Sequence, residues 1–127
     1  MQYKNAIANE LFLVTAAKLN RTEWALKEWQ WFERSGMINN QSLINDGLDG
    51  NCKNNKAPTY TYNQGVILGG LAHLYFQTGN QSLLRQGEAI ADAVLDLKTD
   101  RNGVLTETGC GDGALFKGVF VGTCVIS

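Results

Sequence analysis

One stretch limits what this chain can become: Thr59–Gly79, TYTYNQGVILGGLAHLYFQTG. Tyr60, Tyr62, Asn63 and Gln64 gather polar and aromatic groups at its start. Val66, Ile67, Leu68, Leu71, Ala72, Leu74, Tyr75 and Phe76 then follow, apolar almost all round, with Gly65, Gly69 and Gly70 among them. A helix that is apolar on every side is buried on every side. Glycines lower its intrinsic stability, so their presence predicts a second helix packed close against this one. The stretch reads as an inner helix of a helical assembly, with its polar tip facing a pocket.

The rest of the chain supplies partners. Tyr3–Leu19 is a second helix that is apolar over most of its circumference, interrupted by Asn9 and Glu10. Glu23–Arg34 and Gln81–Leu97 are amphipathic, with Lys27, Glu28, Glu33 and Arg34 on one and Arg85, Glu88, Asp92 and Asp96 on the other facing water. Ser35-Gly36 ends the earlier of these two through a glycine cap. Met37–Pro58 is a long loop rich in Asn, Gly and Asp, a kind that is functional or disordered in compact domains. Within it Leu43–Leu48 has the pattern of a short strand and turn, and Val104–Glu107 that of a short extended piece. Ala114–Phe120 begins another apolar helix.

A buried helix thus alternates with an amphipathic one. Asn5-Ala6-Ile7, Gln64-Gly65-Val66 and Lys117-Gly118-Val119 occupy equivalent places near the starts of the buried helices. Their spacing is on the order of 55 residues, as in arrays of helical hairpins. Such hairpins bury their faces by stacking on neighbours. Two hairpins and the first turns of a third are expected, and the chain reads as a piece of a longer array.

Composition removes several function classes. A formal net charge of −1 gives no electrostatic case for nucleic acid. The longest apolar run, Gly65–Leu74, is too short and interrupted to span a bilayer. The first residues, Met1-Gln2-Tyr3-Lys4-Asn5, lack the pattern of a signal peptide. Cys52, Cys110 and Cys124 have no metal-type spacing. A Cys52–Cys110 disulfide tying two loops and buried free thiols are the two readings. Asn20-Arg21-Thr22, Asn40-Gln41-Ser42 and Asn80-Gln81-Ser82 are sequons at predicted helix boundaries or loops. They read either as glycan acceptors or as caps and turns.

Six blocks in order carry a family resemblance: Tyr3–Leu11, Trp24–Trp29, Asn45–Leu48, Tyr62–Gly70, Gly103–Glu107 and Phe116–Gly118. Together they resemble fungal glycoside hydrolase family 76, the endo-α-1,6-mannanases and their relatives in cell-wall assembly. The resemblance runs from Tyr3 to about Val121. It implies an all-α (α/α)6 barrel, of which this chain holds about two and a half helical hairpins. Residues 1–121 are then a partial family domain and 122–127 a divergent tail. It further implies retaining hydrolysis of α-1,6-mannan by a pair of adjacent aspartates, one attacking at the anomeric carbon and one protonating the leaving oxygen. That pair falls upstream of the Tyr3 block, and no two acidic residues are adjacent in this chain. No catalytic residue is therefore expected here, and the fragment alone is expected to be inactive. A cell-wall transglycosylase relative and a noncatalytic mannan-binding or interaction module are the alternatives. The expected partner is α-mannan or a mannooligosaccharide, with no nucleic acid, metal or cofactor. The full-length protein is expected to be a monomer, secreted or in the cell wall.

The residues expected at sugar are Asn5, Asp46, Tyr62, Asn63, Gln64, Glu107 and Asp112. Asp46, in a glycine-flanked loop, reads as a turn aspartate or as an acceptor for mannose hydroxyls. Tyr62, Asn63 and Gln64 read as sugar contacts, with Tyr60 or Tyr62 stacking on a ring; the alternative is capping by Asn63 and core packing by the tyrosines. Asn5 marks the related tip in the first hairpin. Glu107 and Asp112 read as a second acidic wall, or as caps or partners of Lys117. Trp24, Trp29 and Trp31 are expected to pack in the core, and His73 to be a core histidine.

Overall fold

In the computed structural model, residues 3–107 and Lys117 are described. They form four helices: α1 (Ala6–Lys18), α2 (Thr22–Arg34), α3 (Thr61–Thr78) and α4 (Gln81–Leu97). The order is that of two stacked hairpins. The inner helices start at Ala6 and Thr61 and keep the expected spacing. Among the described residues the Leu43–Leu48 and Val104–Glu107 segments make isolated bridges rather than strands: Ile38 with Ile44, Asn5 with Gly47, Leu48 with Asn54, and Thr99 with Leu105. Two helical hairpins of this order are a part of the expected all-α (α/α) toroid.

Helices α1 and α3 run parallel. Their N-terminal ends both meet the long loop, through the Asn5–Gly47 bridge and through bonds from Gln64 to Ile44. At the other end Gln77 Nε2 donates to the Ala17 carbonyl at 2.6 Å, and Thr22 Oγ1 donates to Gln77 Oε1 at 2.8 Å. The glycines of α3 explain how close the two come. A β-carbon at Gly70 would collide with the Leu13 side chain and press on Val14. Leu13 is itself wholly buried, so it has nowhere to retreat.

The outer helices pack as their patterning predicts. Ala25, Trp29 and Phe32 of α2, and Leu83 and Ile90 of α4, turn inward onto α1 and α3, while Val94 of α4 packs with Leu43 and Leu105. Trp29 Nε1 donates to Gln86 Oε1 at 3.0 Å, so the indole's one polar group is satisfied inside the core. One expectation needs correcting. Trp24 and Trp31 do not pack in the core; they are 57% and 40% exposed, on the water side of α2. The inner helices, expected to bury their remaining faces by stacking on further hairpins, keep part of their apolar surface open among the described residues. Leu11 and Phe12 of α1 and Phe76 of α3 lie open among the described residues.

The asparagine-rich loop is ordered by its own side chains. Asn45, 8% exposed, accepts at Oδ1 from the Nδ2 groups of Asn39 and Asn54, both at 2.9 Å. Its own Nδ2 donates to the Ala57 carbonyl at 2.6 Å. Met37, Leu43, Ile44 and Leu48 bury their side chains beneath this polar net. Backbone groups that would be stranded in a long loop are thus paired. Cys52 lies exposed in the same loop as a free thiol, accepting from Lys4 Nζ at 3.3 Å, so it is not the buried thiol of the second reading. Asp112, Cys110, Cys124 and the expected tail at 122–127 lie outside the described residues.

Candidate functional site

The loop end of the hairpins gathers the chemistry. Asp46 is held there by its own backbone, whose carbonyl accepts from Ala6 N at 2.7 Å at the start of α1. Its side chain, half-buried, accepts from Tyr3 Oη at Oδ2, 2.6 Å. Asn55 Nδ2 donates to the same Tyr3 oxygen at 3.1 Å. From α3 Tyr62 lies near enough for the Asp46 charge to act on its hydroxyl. Tyr60 stacks on Tyr62 with ring centroids 5.9 Å apart. One carboxylate therefore accepts from the Tyr3 phenol beside a pair of stacked rings. A carboxylate offers about four acceptor positions, so this bond leaves capacity for further hydroxyl donors.

Electrostatics follow from that crowding. Burial and then the Asp46 charge, with smaller contributions from Glu10 and Tyr60, push the Tyr62 hydroxyl up to about 12. Tyr3 is raised as well, by burial and by its bond to Asp46. Both phenols thus remain donors at neutral pH. Beneath them lies Glu10, wholly buried on α1, with no hydrogen-bond partner for either carboxyl oxygen among the described residues. Burial, and then the Asp46 charge, hold its carboxyl well above the usual carboxylate range. A buried acid with no cation beside it takes a proton instead of a charge. Asn63 on α3 is also wholly buried, with neither amide atom paired among the described residues.

Glu10 yields a pH prediction. Its folded pKa lies above the unfolded one. The neutral form's stability is therefore full below about 4.5 and is lost as pH rises through the raised folded value. Within that window the loss is on the order of 1 kcal/mol per pH unit. Chemical denaturation of the wild type should show stability falling from pH 4 upward, and Glu10→Gln should flatten that slope. An unchanged slope in the variant would contradict the assignment.

The expected site residues divide. Asp46 and Tyr62 are brought together. Asn5 is the N-cap of α1, accepting from Ala8 N at 3.0 Å, and borders Asp46 through the Gly47 bridge. Gln64 is wholly buried: Oε1 accepts from Ile44 N at 2.8 Å, and Nε2 donates to the carbonyls of Ile44 at 2.8 Å and Tyr60 at 3.0 Å. That geometry is a clamp on the loop. Asn63 does not cap α3, whose first residue is Thr61. Glu107 caps it from afar, its Oε2 accepting from Thr61 N and Thr61 Oγ1, both at 2.6 Å. A carboxylate there also favours the positive end of the helix dipole. His73 is half-buried within α3.

Sequence reasoning missed Glu10, Tyr3 and Asn55. The signal for Glu10 was present: Ala6, Glu10, Leu13 and Ala17 share one helical stripe, and all four are buried. Tyr3 and Asn55 carry no such signal, since the folded loop alone brings them to Asp46. Among the described residues no cluster of His, Cys, Asp and Glu fits a metal ion, and no helix is long and apolar enough to cross a membrane.

Residues 1–125 match the model of glycosyl hydrolase family 76. A mannan endo-1,6-alpha-mannosidase of Saccharomyces cerevisiae is 35% identical over 61% of this chain and 20% of its own length. That of Eremothecium gossypii is 30% identical over 87% of this chain and 27% of its own. Among solved structures, Dfg5 of Chaetomium thermophilum in complex with glucosamine superposes with a TM-score of 0.76 at 26% identity, covering 85% of this chain and 28% of that one. An inactive double-aspartate variant of the α-1,6-mannanase GH76A of Salegentibacter, in complex with α-1,6-mannotetrose, gives 0.74 at 27% identity, covering 95% and 39%. The chain spans only about a fifth to a quarter of the curated relatives' length. The chain belongs to glycosyl hydrolase family 76.

Proposed function

We propose that this chain forms part of the mannan groove of an endo-α-1,6-mannosidase that is secreted or held in the cell wall. The reading rests on one observation above all: Asp46, bonded by Tyr3, stands near the stacked Tyr60 and Tyr62 rings at the loop end of the inner helices. Mannose needs such a surface. Its hydroxyls seek a fixed acceptor, and its C–H face lies well on an aromatic ring. Hydrolysis with retention needs two carboxyls flanking the bond, and this sequence holds no adjacent acidic pair. The chain by itself therefore binds without cleaving. Support comes from the Salegentibacter neighbour, whose mannotetrose complex was obtained with both aspartates replaced.

Titration of the chain with α-1,6-mannotetraose, followed by calorimetry and by product analysis, tests this. Binding without product is expected. Asp46→Ala should weaken binding at least ten-fold, since a hydrogen bond to a charged acceptor contributes about 1.5–3 kcal/mol. Tyr62→Phe should cost less. Equal affinity for wild type and Asp46→Ala would remove Asp46 from the groove.

A further inference from the structure

We propose that Asn20 and Asn80 are N-glycosylation sites, acceptors of a lipid-diphosphate-linked oligosaccharide; the proposal rests on the secreted or wall-bound reading above. The two sequons recur at the same place in the repeat. Asn20-Arg21-Thr22 is the turn from α1 into α2, and Asn80-Gln81-Ser82 is the turn from α3 into α4. Both asparagines are exposed. Gln77, which bonds to the Ala17 carbonyl and to Thr22, ties these turns to one end of the molecule. Asp46 and its tyrosines are at the opposite end, so glycans here leave the groove open.

The side chains suit the modification. Asn80 Oδ1 accepts from Ser82 N at 3.0 Å and caps α4. Asn20 Oδ1 faces Gln77 Nε2 at 3.5 Å. Among the described residues neither Nδ2 donates a hydrogen bond, whereas Asn9, Asn39, Asn45, Asn54 and Asn55 all use theirs. An N-linked sugar replaces one hydrogen on Nδ2 and leaves Oδ1 a carbonyl, so the α4 cap survives it. The third sequon, at Asn40, lies in the loop on the groove side and is no part of the proposal.

A glycan is bulky and solubilising, and both acceptor turns are exposed among the described residues. In the reaction Nδ2 attacks C1 of the oligosaccharide's reducing-end N-acetylglucosamine. The new N–C1 bond forms as the C1–O bond to the lipid diphosphate breaks. The bonding pair leaves on the diphosphate, and the Nδ2 proton passes to base.

The test expresses all 127 residues in a yeast behind a cleavable secretion leader. The secreted chain is treated with peptide-N-glycosidase in heavy-oxygen water, and peptides are mapped by mass. Conversion to labelled aspartate is expected at positions 20 and 80. On a denaturing gel Asn20→Gln and Asn80→Gln should each lose one glycan. Thr22→Ala and Ser82→Ala, which keep the asparagine, should each lose the same one. These readouts do not need the variants to fold. A secreted chain unlabelled at either position, or a glycan that persists in Thr22→Ala or Ser82→Ala, overturns the proposal. Mannotetraose binding is measured separately on glycan-free chain from a bacterium, so failure of the groove reading shows there and not here.

Discussion

Gln64→Leu is expected to lower stability by about 4 kcal/mol and to free the loop from the helices. The side chain is wholly buried, and its amide pairs with both backbone groups of Ile44. Leucine fills similar space but leaves the Ile44 N–H and carbonyl without those partners. Each such loss costs about 1–3 kcal/mol, against the roughly 5–15 kcal/mol that holds a typical domain together. Hydrogen exchange at the Ile44 amide should accelerate by orders of magnitude. Mannotetraose binding should fall with it, because Asp46 lies two residues along the same chain. Gln64→Glu refines the test. A carboxylate still accepts from Ile44 N but cannot donate to the Ile44 carbonyl, so part of the loss should return on acidification. An Ile44 amide that exchanges at the wild-type rate in Gln64→Leu would show that the loop is held by other means.

Gly47→Ala is expected to produce a second large effect at the same junction. A β-carbon there would lie 2.6 Å from the Lys4 carbonyl oxygen and 2.8 Å from Tyr3 Oη. The first obstacle is backbone, which cannot rotate aside. The loop must move away from the start of α1. That strains the Ala6 N to Asp46 carbonyl bond of 2.7 Å and the Leu48 N to Lys4 carbonyl bond of 2.9 Å. Overpacking costs about 1–3 kcal/mol, and each weakened bond adds about 1 kcal/mol. Thermal unfolding should show the loss. Affinity for mannotetraose should drop further than stability alone explains, since Tyr3 and Asp46 are displaced together. A crystal structure of the variant with Tyr3 Oη still on Asp46 would refute this account.

The two effects show why part of the site was legible in sequence and part was not. Asp46 and Tyr62 announce themselves by local context, one in a glycine-flanked loop and one at the tip of an apolar helix. Gln64 has the same local context as Tyr62, yet it points into the interior. One residue along a helix turns the side chain by about 100°, and the sequence does not say which neighbour lies on that side. Asn63 illustrates the same limit. Its residue type suits a cap, but the helix begins two residues earlier and Glu107 supplies the capping oxygen from across the fold. Trp24 and Trp31 were expected inside by residue type, whereas their positions on α2 put them on its water face.

The sequence by itself determined the four helices and their hairpin order, because apolar periodicity is written along the chain and survives whatever it packs against. It also determined the close α1–α3 approach, since only glycine at Gly70 leaves room for Leu13. Tertiary structure alone decided the site. Tyr3 meets Asp46 across 43 positions of chain and Glu107 meets Thr61 across 46. Glu10 becomes a buried acid only when α1 docks beneath Asp46. Helices follow from local hydrogen bonds and side-chain spacing. Contacts between distant segments depend on how those helices stack and where the loop between them is clamped.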